Sequence, residues 1–124
     1  MEYLAGQETL VVAPTGFVSD DDARELTEQA IALLQQTHAT RVLGDCRGLE
    51  SPPSVATIYW LVHEYADRGL PKDTRIAVVH SKQPQAIEIA QFYETVCVNR
   101  KYQARVFPSR EAAQAWLWSA QAVW

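Results

Sequence analysis

The chain has 124 residues, 48% of them apolar and 21% charged, with 11 basic and 15 acidic side chains and a net charge of −4. That length suits one domain around one core, and the mild acidity argues against non-specific binding to nucleic acid. Cys46 and Cys97 show neither zinc nor redox spacing, no stretch reaches the ~18 apolar residues of a membrane span, and Met1-Glu2-Tyr3 opens no secretory signal, so a single cytoplasmic domain over 1–124 is expected.

Strand and helix signals alternate along the chain. Thr9-Leu10-Val11-Val12-Ala13 is a β-favouring run stopped by Pro14, and Tyr3-Leu4 before it forms a hairpin partner. Ser19 followed by Asp20-Asp21-Asp22 is a helix start, with Asp22 in the return position of a capping box. Ala23, Leu26, Ala30, Leu33 and Leu34 then recur at helical spacing. Arg41–Asp45 reads as a strand, Pro52-Pro53 as the turn after it, and Ser54 as the cap of a second helix. The expected inner face of that helix is Val55, Ile58, Tyr59, Val62, Tyr65 and Ala66, and Gly69 with Pro71 ends it. Arg75–His80 contains four consecutive apolar residues, as expected of a parallel strand buried on both faces. Pro84 opens a third helix facing inward through Ala86, Ile89, Ala90, Tyr93, Val96 and Cys97. Ala104–Phe107 is the last strand, and Pro108-Ser109 lead into a fourth helix with Ala112, Ala113, Trp116, Leu117 and Ala120 inward. This order predicts an α/β fold: a mixed, mostly parallel sheet covered on both faces by about four helices.

Gly16-Phe17-Val18-Ser19-Asp20, Val42-Leu43-Gly44-Asp45, Arg75–Val79, and the ending Arg105–Leu117 with its alanines and Trp116-Leu117 pair, taken in this order, resemble the STAS family (sulfate transporter and anti-sigma-factor antagonist domains), and more closely its SpoIIAA-like branch. The resemblance spans roughly residues 3–118. It implies a layout similar to the lipid-binding CRAL-TRIO fold and carries no particular activity. A STAS antagonist has Asp-Ser-Ser-Gly at the start of its second helix, where a kinase phosphorylates one serine. The matching positions here are Pro53-Ser54-Val55-Ala56, so only Ser54 is left, as a helix cap or a phosphosite.

Chemistry-bearing residues are few. Asp45-Cys46-Arg47 ends a central strand, where open α/β sheets place their ligands. Arg47 would activate the Cys46 thiol if it lay beside it. The position six residues on, where a cysteine phosphatase needs arginine, is Pro52, so Cys46 reads as a packing residue. His38, His63 and His80 show no metal spacing, and no phosphate-cradling glycine loop is present. His80 ends its strand at the same sheet edge as Asp45, which makes Asp45 and His80 candidate ligand-edge residues. A hydrolytic triad of Asp45, His80 and Ser81 or Ser54 lacks the nucleophile elbow, and neighbouring residues of one strand point to opposite faces. Arg100, Lys101, Arg105 and Arg110 with Tyr102 and Phe107 read as a solvated edge rather than a nucleic-acid strip.

Trp60 and Trp118 fall on polar helix faces, beside Glu64 and Asp67 and beside Gln114 and Gln121, and are candidate interface residues. The expected function is a non-enzymatic STAS-like module that binds a protein partner or itself as a homodimer, with no metal or cofactor. The alternative is a carrier or sensor of a small apolar, lipid-like ligand. The second helix separates the two: Tyr59, Val62 and Tyr65 packed on the sheet leave no cavity, whereas a gap lined by them admits a ligand.

Overall fold

The computed structural model describes residues 1–119, so Ala120, expected inward on the fourth helix, and Gln121, expected beside Trp118, lie outside the described residues. Five strands form one sheet in chain order: β1 (Glu2–Leu4), β2 (Thr9–Val12), β3 (Arg41–Asp45), β4 (Arg75–Val79) and β5 (Gln103–Phe107). β1 pairs antiparallel with β2, and every later pairing is parallel. The expected mixed sheet, with the strands around 41–45, 75–80 and 103–107 parallel, is what forms.

The strand order dictates where the helices go. A sheet built by stepping one strand at a time in one direction, with right-handed crossovers, puts every crossover helix on the same face. Those helices are α1 (Asp20–Thr37), α2 (Val55–Asp67) and α3 (Pro84–Asn99). After β5 the chain crosses to the opposite face as α4 (Arg110–Leu117).

Local sequence sets the helix ends as anticipated. The Ser19 hydroxyl accepts from the Asp22 N–H at 3.1 Å, and the Asp22 carboxylate accepts from the Ser19 N–H at 3.3 Å. Ser54 and Ser109 cap α2 and α4 by accepting from the backbone N–H groups of Thr57 and Ala112. Gly16, with φ of 71°, makes the turn after β2. Its N–H donates to the Gly48 carbonyl, and its own carbonyl accepts from the Glu50 N–H. Those two bonds tie the loop after β2 to the loop after β3.

The register puts alternate residues of each strand into two separate cores. Leu10, Ile76, Val96, Cys97, Tyr102 and Ala104 belong to the core under the three crossover helices. Val11, Leu43, Ala77, Val79, Ala113 and Leu117 form the smaller core under α4. The apolar run 76–79 therefore feeds both faces in turn, as a two-sided strand must.

On the α4 face, Arg75 is buried and donates from Nη1 to the carbonyl oxygens of Trp116 at 3.1 Å and Ser119 at 3.4 Å. A cation at that position complements the negative end of the helix dipole.

The inner face of α2 and the placement of Trp118 differ from expectation. In α2 the buried residues are Thr57, Ile58, Leu61 and Val62, so the inner face is turned toward Leu61. Val55 and Tyr59, expected inside, are exposed. Trp118 does not project into solvent. Trp118 is the C-cap of α4, its backbone N–H still donating to the Gln114 carbonyl; its indole N–H donates to the Thr9 hydroxyl at 2.9 Å and its ring packs on the α4 core.

Candidate functional site

Between the three crossover helices and the sheet lies a cavity of about 230 Å³. Its floor is built by register. β2, β3 and β4 align Val12, Gly44 and Val78 in one row across the sheet, and all three are only partly buried although they sit at its centre. One step on, Pro14, Cys46 and His80 continue the same face at the carboxyl ends of the strands and also line the cavity. The roof is largely small or branched: Ala23 and Ala30 of α1, Ile58 and Leu61 of α2, Ala86 and Ala90 of α3. Alanines at inward positions hold these helices over the sheet without filling the space beneath them.

The chamber has two distinct ends. Toward the amino ends of the strands it closes against Leu34, Leu70, Ile76, Tyr65 and Tyr93. There the two tyrosine hydroxyls hydrogen-bond each other at 2.8 Å. Burial raises both phenols above the ordinary tyrosine range, so they stay neutral at physiological pH. Toward the carboxyl ends it meets Leu49, Ser51, Pro52 and Pro53 of one loop, and His80, Ser81 and Gln83 of another. His80 Nδ1 lies 2.8 Å from the Ser81 carbonyl oxygen, a bond that requires Nδ1 to carry the proton.

The candidate edge residues part company here. His80 lines the chamber, but Asp45 shares its strand parity with Leu43 and Val79 and so faces α4. Its carboxylate accepts from Arg47 Nε at 2.9 Å and Arg47 Nη2 at 2.7 Å, with Arg110 Nη1 at 3.8 Å. The bonds from Arg47 hold Asp45 below the usual carboxylate range, against an opposing push from burial. Asp45 is thus a lock between the end of β3 and the start of α4, and the sheet separates it from His80.

Arg47 is engaged with Asp45 and leaves the Cys46 thiol in apolar surroundings. Burial pushes that thiol up to about 11, with the Asp45 charge adding to the effect. A neutral thiol is a poor nucleophile, and Cys46 serves as chamber wall.

Ser54 Oγ accepts the Thr57 N–H and also donates to Thr57 Oγ1 at 3.0 Å, the full work of a cap. His38 ends α1, and His63 lies between Tyr59 and Trp60 on α2. Among the described residues no three His, Cys, Asp or Glu side chains group as metal ligands. The basic strip is broken up: Tyr102 is buried and Arg110 turns to Asp45. Trp60 is 53% exposed.

Sequence reasoning singled out His80, which the structure places in the chamber lining, but not the chamber itself. Tyr65 lines the gap as the ligand alternative requires, Val62 packs fully in the core, and Tyr59 lies outside. The one available signal was the small residues at inward positions of α1 and α3, which read equally well as close helix packing.

Among the described residues, no helix is long and apolar enough to cross a membrane. No curated protein matches the chain. The model of the SpoIIAA-like family matches residues 9–119, which takes in the sheet from β2 onward, all four helices and the whole chamber, and the chain belongs to that family.

Proposed function

We propose that the protein is a non-enzymatic binding module that receives a small apolar ligand in the chamber beneath α1, α2 and α3. The observation that carries this reading is the partly buried Val12–Gly44–Val78 row at the centre of the sheet, roofed by apolar helices. A dry apolar cavity of ~150 Å³ already accepts a benzene-sized molecule, so about 230 Å³ suits a ring system or a short alkyl chain. The polar groups at each end orient such a ligand rather than react with it. The tyrosine hydroxyls are paired, the Cys46 thiol is neutral, and Asp45 stands across the sheet from His80.

The test is titration of the purified protein with an environment-sensitive apolar fluorophore, followed by displacement with decanol and with 1-naphthol. Saturable binding displaced by either alcohol is expected. Fluorescence that neither alcohol lowers would overturn the reading.

A second reading rests on a separate surface. Val55 and Tyr59, one turn apart on the solvent side of α2, lie with Trp60 and are each about half exposed. Such a patch suits docking of a protein partner or of a second copy. Light scattering over a concentration series, on the parent and on Trp60→Ser, tests the self-association form. A parent that is monomeric throughout would remove it.

A further inference from the structure

Gly44 occupies the centre of the chamber floor, and its presence there is not explained by the backbone. A glycine inside a strand weakens it, and usually marks a bulge, a sharp bend, or a place where another backbone or a ligand comes close. No bulge is present, because β3 keeps unbroken register with both neighbours through Val12, Gly44 and Val78. No positive φ is required, since the glycines with φ above zero are Gly16 and Gly69. No neighbouring backbone crowds the site either. A Cβ at position 44 would meet the Ala77 carbonyl oxygen at 3.8 Å and Val78 Cγ2 at 3.9 Å, both ordinary contacts. An alanine fits the strand, and its methyl group would stand in the chamber, because Gly44 itself lines it.

With no bulge, no positive φ and no crowding backbone at position 44, its place on the chamber floor points to the approach of a ligand. We infer that Gly44 sets the bore of the chamber: the missing side chain admits the wide part of an apolar ligand, making position 44 the selector for cross-section. The ligand class that follows is a compact ring-bearing molecule, since a linear alkyl chain is narrow enough to pass a methyl group on the floor. This inference rests on the ligand reading above and adds to it the residue that decides which ligand is accepted.

The experiment measures thermal unfolding and the affinities for 1-naphthol and decanol, each by displacement of the same fluorophore, for the parent, Gly44→Ala and Gly44→Val. One methyl in a hydrophobic pocket is worth about tenfold or more. Gly44→Ala is therefore expected to weaken 1-naphthol about tenfold and to change decanol by less than about threefold. Gly44→Val is expected to lose both ligands. Both variants should melt at or above the parent temperature, because a side chain restricts the unfolded chain and fills space in the folded one. Equal affinities in all three proteins, with the parent binding, would overturn the role of Gly44 while leaving the ligand reading intact. A parent that binds neither probe would overturn the ligand reading, and this inference with it. A lower melting temperature for Gly44→Ala would show that the strand needs glycine for its own packing, and would likewise overturn the inference.

Discussion

The two faces of one sheet differ in how completely they are filled. Under α4, Leu43, Ala77, Val79, Ala113 and Leu117 are wholly excluded from solvent, and the Trp118 indole and the Arg75 guanidinium secure the helix end. Under α1, α2 and α3 the amino-terminal half of the sheet is packed as well, through Leu10, Val62 and Cys97. The carboxyl-terminal half opens into the chamber instead. The same strands supply both faces from alternate residues, so β-propensity cannot account for the contrast. What differs is the covering. One short helix lies directly on its face, whereas three longer helices rest on one another and on the strand starts, leaving the strand ends bridged.

That comparison predicts unequal responses to mutation. The largest effect belongs to Leu117→Ala, which empties a fully excluded site in the tight core and should cost about 3 kcal/mol in chemical denaturation. A loss below about 1 kcal/mol would mean that α4 is not seated as firmly as its burial indicates.

A matched pair sharpens the contrast. Ala113→Leu adds volume where there is none to spare and should cost about 2 kcal/mol. Ala30→Leu directs the same added atoms into the chamber and should leave stability unchanged, or raise it by about 0.5 kcal/mol. Equal costs at the two sites would erase the distinction between the faces.

The smallest effect is electrostatic. Because Asp45 has a lowered pKa in the fold, its contribution is present above the unfolded carboxylate value of about 3.9 and is lost as pH falls through the folded value. The parent should therefore lose part of its stability on acidification that Asp45→Asn does not have to lose. Denaturation midpoints from pH 7 down to about pH 2 check this, and parallel curves over that whole range would count against the lock at the start of α4.

Much of this architecture was legible in the residues themselves. The alternation of elements, the serine caps at 19 and 54 and the unbroken apolar run 76–79 rest on local chemistry and on the geometry of parallel crossovers. The errors share a cause. Extrapolating a helical phase puts Tyr59 inside and Trp118 in solvent. In α2 the inner face is settled by what the helix packs against, and at the end of α4 the Trp118 indole turns to the Thr9 hydroxyl and the core beside it. The pairing of Asp45 with His80 went wrong for a related reason. Both stand at the carboxyl edge of the sheet, but the register puts them on opposite faces.

The sequence by itself determined the order of strands and helices and the parallel sheet, because these follow from periodicity, caps and turns that act over a few residues; the family rests instead on the resemblance of particular segments and the match over residues 9–119. Only the tertiary structure decided that a chamber exists and that Gly44 lies on its floor. A cavity is the space left between elements distant in the chain. Its size depends on how high α1, α2 and α3 ride above the sheet, which no stretch of residues states alone. The sign of a residue's contribution there is equally non-local. Gly44 reads as a weak point within β3, and becomes an opening only when Val12, Val78 and the alanines of the roof are brought around it.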